Sequence, residues 1–187
     1  KIGYTTSTFD FVGDLVFGPN AAYGNFGNSS ALTPGTIAGR AIGESAVAIK
    51  QAYGTWKATD KLSFTVGQFG THIGYEVIDA PVNYHYSLSN LFNNGPFYHV
   101  GAKANYAVSD KLGLMVGLVN NWDALYDNNK QKSVVAQVYL NPIEDFNVYV
   151  NYIGGTESAN AALGTGNAIH LIAVSYTHLT LPTNREV

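Results

Sequence analysis

The stretch GQFGTHIGYEVIDAPVNYHYSLS, residues 67–89, crowds His72, Glu76, Asp79 and His85 among Tyr75, Tyr84 and Tyr86. Imidazole and carboxylate together suit zinc or iron, and His99 lies a short way downstream. The spacing argues against a metal. His72 and Glu76 come close enough to share one ion only on a helix, whereas GTHIGYE reads as a strand running into a loop. Two carboxylate pairs, Asp10/Asp14 and Glu76/Asp79, are the groups acid–base chemistry uses, but here they read as lumen-facing or loop polar groups. A serine nucleophile needs a tight elbow such as G-x-S-x-G, which is absent. The chain has no cysteine, which excludes a zinc–thiolate site and a disulfide framework. The expectation is no catalytic residue, no metal, no cofactor and no enzyme.

The elements that hold these residues are strands. The 187 residues are 46% hydrophobic but only 12% charged, about half the usual charged fraction of a soluble domain. Gly (20), Tyr (13) and Phe (9) are abundant, a mixture that suits strands, turns and aromatic girdles. Net charge is −3 with pI near 5.9, which advertises no nucleic-acid surface. No run of about 18 apolar residues offers a transmembrane helix.

Alternation dominates the pattern. Tyr98, Val100, Ala102, Ala104 and Tyr106 oppose His99, Gly101, Lys103 and Asn105. Leu112, Leu114, Val116 and Leu118 oppose Gly113, Met115, Gly117 and Val119. Val134, Ala136, Val138 and Leu140 oppose Ser133, Val135, Gln137 and Tyr139, and AIHLIA sets Ile169, Leu171 and Ala173 on an apolar face. Eight strands are expected, at about 4–17, 48–58, 62–70, 97–108, 112–120, 132–140, 146–153 and 168–174. Short connections (59–61, 109–111, 141–145) alternate without exception with long ones (18–47, 71–96, 121–131, 154–167). A meander then has every tight turn at one end and every long loop at the other, the asymmetry of outer-membrane barrels. ATDKLSFTVGQF and VSDKLGLMVGLV match across a turn and the strand after it, so the hairpin looks like a repeating unit.

Alternation alone also fits a soluble β-barrel that binds a ligand. Three features favour lipid. The apolar faces carry few charges. Long loops recur on one side, where compact soluble domains rarely have them. Tyr98 and Tyr106 bracket an apolar span of roughly 26 Å of strand, or about 20 Å of height when tilted by some 40°. Trp122 in NNWD is placed at the outer interface, at the end of a strand.

IKQAYGTWKATDKLSFTVGQFGTHIGYEVIDAPVNYHYSLSNLF, GPFYHVGAKANYAVSDKLGLMVGLVNNWD and NPIEDFNVYVNYIGG resemble the OmpL-like β-barrel porin family of Bacteroidetes-type bacteria. GDLVFGPNA (13–21) resembles that family's early strand. The resemblance implies an incomplete all-β, antiparallel up-and-down transmembrane barrel in the outer membrane of a Gram-negative cell, passing small hydrophilic solutes. It also implies a fragment, since family members are about twice as long, with partners limited to outer-membrane lipid, lipopolysaccharide, small polar solutes and a possible homo-oligomer. The tail VSYTHLTLPTNREV (174–187) resembles translated sequencing-adapter DNA, which leaves 1–173 as the barrel domain.

Within such a barrel, the loop 71–96 either folds into the lumen as a constriction or packs on the rim. His72, Glu76, Asp79, Asn83, Tyr84, His85 and Tyr86 are its candidate solute contacts, and His99, Lys103 and Asn105 are candidate lumen groups on the following strand. The alternative to a pore is a structural or adhesive outer-membrane barrel with a filled, non-conducting lumen.

Overall fold

The computed structural model describes residues 1–17, 47–83, 85–120, 122–123, 125, 131–156 and 168–178. The expected loops 18–47, 121–131 and 154–167 fall largely outside this set, as do Tyr84 and the tail from residue 179.

Among the described residues, nine strands form one antiparallel sheet in strict sequence order: β1 (Ile2–Thr5), β2 (Phe9–Phe17), β3 (Val47–Lys57), β4 (Leu62–Gly70), β5 (Tyr98–Ser109), β6 (Leu112–Val119), β7 (Ser133–Ile143), β8 (Phe146–Thr156) and β9 (Ala168–His178). The sheet is open, with β1 and β9 at its edges. The order is that of an up-and-down barrel with part of its wall present. β9 runs through Ser175, into the stretch set aside as a tail.

The expected strand 4–17 is two strands. Thr6-Ser7-Thr8 turns the chain, and Ile2 pairs with Gly13 and Tyr4 with Phe11. The Thr6 hydroxyl accepts from the Phe9 N–H at 2.8 Å and the Thr8 N–H at 3.3 Å. Serine and threonine hydroxyls close such turns without glycine or proline, so continuous alternation hid the break. The new turn is short and at the same end as the others, so short and long connections still alternate.

One face of the sheet is exposed and apolar. Val66, Val116, Leu118, Leu114 and Phe64 stand on it, as do Phe9, Phe11, Leu15 and Phe17 on β2. Toward the short-turn end this outer face is aromatic: Phe9 is opposite Trp56, Trp56 is opposite Phe64, and Tyr106 lies nearby on β5. The Trp56 and Phe64 rings stack at 5.7 Å.

The inner face holds the core. Phe69, Met115, Val119, Val135 and Ile153 cluster there, with Leu171 and Ala173 packed against them. Leu171 and Ala173 of the apolar β9 set thus face inward, whereas Ile169, Ile172 and Val174 are exposed. Burial of Tyr98 corrects a second expectation. It is fully covered, its hydroxyl donates to the Asp123 carbonyl at 2.9 Å, and it packs with Ala48, Phe97 and Ile78 rather than capping an outer band. Trp122 also turns inward, against the inner cluster.

Glycine sets the curvature on this face. Gly67 and Gly117 occupy matched positions of the internal repeat, and Gly67 pairs with Gly101. A Cβ on Gly67 or Gly101 would strike backbone of the neighbouring strand (Ala52 O and Leu118 O), and one on Gly117 would come within 2.6 Å of Ala102 O. Gly67 also has φ 129°, which L side chains rarely adopt. Such positions let strands β3–β6 approach and bend, as barrel corners require.

Candidate functional site

The β4–β5 connection does not stay at the rim. Gly70 and Tyr98 close the hairpin, and the Thr71 N–H donates to Phe97 O at 3.1 Å. From there the chain turns across the inner wall. Ile73 is buried in the cluster of Phe69, Met115, Val119, Val135 and Ile153, a burial that contributes about 1.5–3 kcal/mol. His72 Nε2 donates to Tyr152 O at 3.1 Å, and Gln137 Nε2 donates to His72 O at 3.3 Å. Residues 71–73 therefore reach from β4 to β7 and β8.

The imidazoles meet here. The His72 and His99 rings lie 5.5 Å apart, and His99 Nε2 shares a hydrogen bond with the Thr71 hydroxyl at 3.0 Å. Because a carbonyl only accepts, His72 carries its proton on Nε2. Burial pushes its pKa down to about 4, with the Lys103 charge adding to the effect. Lys103 Nζ sits over the Phe69 ring, 4.4 Å from its centroid.

Beyond residue 73 the segment continues as a 3₁₀ turn (Ala80–Val82) and one turn of helix, α1 (Asn90–Asn93). Two internal contacts and one to β3 shape it. Asn83 accepts from the Val77 N–H at 2.9 Å and donates to Val77 O at 2.6 Å. Glu76 accepts from the backbone and hydroxyl of Ser89. Asp79 pairs with Lys50 on β3. At its far end, Asp123 accepts from the Phe97 N–H at 2.6 Å and the Tyr98 N–H at 3.2 Å, and burial raises its carboxyl to about 6. Between this segment and the inner wall lies a cavity of about 740 Å³, bordered by Lys50, Glu76, Asp79, Phe92, Phe97 and Leu171 among others.

The ten candidates from the sequence separate into groups. His72, His99 and Lys103 converge on the inner wall. Glu76 and Asp79 border the large cavity, and Asn83 braces the segment. His85 and Tyr86 are exposed and join neither group, Tyr86 being 95% exposed. Asn105 faces inward two residues beyond Lys103, against a second, shallower concavity. Tyr84 lies outside the described residues.

Sequence reasoning did not single out Ile73, Gln137, Asn151 or Asp123. Gln137 and Asn151 were findable, since both occupy inward positions of alternating strands. They hydrogen-bond each other at 2.6 Å and support His72. Ile73 and Asp123 carried no local signal.

No curated protein and no solved structure matches the chain. One family model does, that of “Putative beta-barrel porin-2, OmpL-like”, across residues 1–182. With nine meandering strands, an apolar outer face and a connection folded onto the inner wall, the chain belongs to that OmpL-like β-barrel porin family.

Proposed function

We propose that this chain forms the wall of a pore in the outer membrane of a Gram-negative bacterium, through which small hydrophilic solutes diffuse passively, and that residues 71–97 narrow it. The observation that carries the reading is the burial of Ile73 in the inner-wall cluster, with His72 hydrogen-bonded to Tyr152 O. A segment anchored there takes up cross-section in whatever lumen the wall encloses. Its groups, with Lys103 and the inward amides, then set size and charge selectivity.

The outer face supports a lipid setting. Its exposed Val66 (61%), Val116 (56%) and Leu118 (55%) would be unfavourable in water and suit hydrocarbon. The aromatic row Phe9, Trp56, Phe64 and Tyr106 suits one membrane interface. A sheet in lipid must also close, because no water there satisfies its edges. The role of the chain is transport, without catalysis or a cofactor. Its contacts are lipid, lipopolysaccharide and solute, with association of copies left to the intact barrel.

The apolar inner cluster favours one second reading, a filled barrel that does not conduct. Planar-bilayer recording separates the two. The pore reading expects discrete channel steps, and their absence from correctly folded protein overturns it.

A further inference from the structure

The inner wall carries a second concavity, on the short-turn side of the inserted segment, which it meets at Gln137. It is shallow, about 340 Å³, and lies over β5 to β8, a volume within the range of small-molecule sites. Asn105, Gly113, Met115, Gln137, Tyr139 and Tyr149 are among its lining residues, none of which is ionised at neutral pH.

Its floor is aromatic. Tyr139 and Tyr149 are directly opposed across β7 and β8, with ring centroids 5.0 Å apart and planes tilted by 35°. Gly113 lies opposite Tyr139 on β6, and a Cβ there would only reach the Tyr139 ring, at 3.6 Å. The glycine therefore leaves no side chain directly opposite the ring on that strand.

Its polar groups are unevenly engaged. Tyr139 donates to Asn147 Oδ1 at 2.8 Å, and Asn141 donates to the same oxygen at 2.8 Å. Gln137 uses its amide N–H groups on Asn151 and His72, which leaves its carbonyl oxygen as an acceptor. Among the described residues, neither the Asn105 amide nor the Tyr149 hydroxyl makes a hydrogen bond, although both line the concavity. The site thus offers two adjacent ring faces, an open amide with donor and acceptor, an open hydroxyl and no charge.

We propose that this concavity binds a neutral pyranose sugar. A pyranose has an apolar C–H face, which gains dispersion contacts on an aromatic ring. Its equatorial hydroxyls each donate and accept, matching an amide and a phenol at the edge of that platform. An ionic solute would find no counter-charge here and would lose hydration without recompense. The proposal deepens the pore reading by naming a solute class and rests on it for the sugar's route to the site, but binding itself does not require conduction.

The test is saturation-transfer NMR on the full chain folded in detergent micelles, with maltotriose as probe and succinate as the charged comparison. Maltotriose should show saturable binding in the millimolar range, with the strongest transfer at its ring C–H protons. Tyr139→Ser with Tyr149→Ser should weaken binding at least tenfold. Tyr149→Phe keeps the platform and should weaken it only a few-fold, as should Asn105→Ala, so the proposal stays testable if the double variant misfolds. No saturable maltotriose binding overturns the proposal, as does equal binding of succinate or binding unchanged in all these variants. Channel steps without sugar binding would overturn this proposal and leave the pore reading standing. Sugar binding without channel steps would do the reverse.

Discussion

At the scale of single residues, direction on the strand decides what a change costs. Val116 is on the outer face and 56% exposed. If that face meets lipid, Val116→Arg should reduce folding stability in bilayers by about 2–4 kcal/mol, while Asn105→Arg on the inner face should cost far less. Urea unfolding in lipid vesicles measures both, and equal costs would contradict the assignment of faces. His72 adds a pH dependence. Its folded pKa of about 4 lies below the ordinary 6.5 because burial disfavours the imidazolium. Its contribution is therefore present above pH 6.5 and is lost as pH falls toward 4. Asp123 runs the opposite way. Its carboxyl, raised from 3.8 to about 6, contributes most at low pH and loses that contribution as pH rises through 6. The two offset each other in wild type, so a variant must separate them. His72→Gln keeps a donor for Tyr152 O, and the stability gap between it and wild type should shrink as pH falls from 7 to 4.5. A gap that does not vary with pH would contradict the neutral, buried imidazole.

At the scale of elements, the strands were legible and the inserted segment was not. Alternation places strands from β3 to β8 to within a few residues, because a half-buried strand must repeat every two residues. It failed where one pattern ran through a turn, at Thr6-Ser7-Thr8. It also failed where both faces are apolar. In LIAV, adjacent Leu171 and Ile172 compete for the same reading, and only pairing with Ile153 shows that Leu171 is the inner one. VVAQV and LMVGLV carry the same double apolar signal. It is the mark of a strand covered on both sides, and so a hint that something packs against the inner wall. That something is the segment containing Ile73, whose burial depends on residues as far away as Val135 and Ile153 and so leaves no local trace. Ile73→Asp should release it, because a carboxylate cannot be buried in that cluster unpaired. The expected sign is faster limited proteolysis within residues 74–96 with the strands intact, and unchanged cleavage would contradict the anchoring. The glycine corner is an element-scale feature too. Gly101→Val adds side-chain atoms where even a Cβ meets Leu118 O, and should cost about 1–3 kcal/mol or more. The same change at Gly13, whose Cβ position is open, should cost less. Thermal melts of the two variants make the comparison.

At the scale of the whole molecule, the meander, the two unlike faces and the family assignment give one architecture, a barrel wall with its apolar side out. The candidate site was legible only in part. His72, His99 and Lys103 were expected in the lumen as separate polar groups, and the fold brings them to one place because the segment after Gly70 turns inward at once. Asn105 was expected to face the lumen from alternation alone, and its aromatic neighbours on β7 and β8 emerge only from the register that aligns Tyr139 with Tyr149. The central claim is that residues 71–97 narrow a conducting lumen. It is tested most directly by single-channel conductance of the wild type beside a variant in which residues 72–96 are replaced by a two-residue Asn-Gly turn. Gly70 and Tyr98 already pair, so the hairpin can close without the segment. Discrete steps in the wild type and at least a two-fold larger conductance in the variant are the predicted result. The same conductance in both, or none in either, would contradict it.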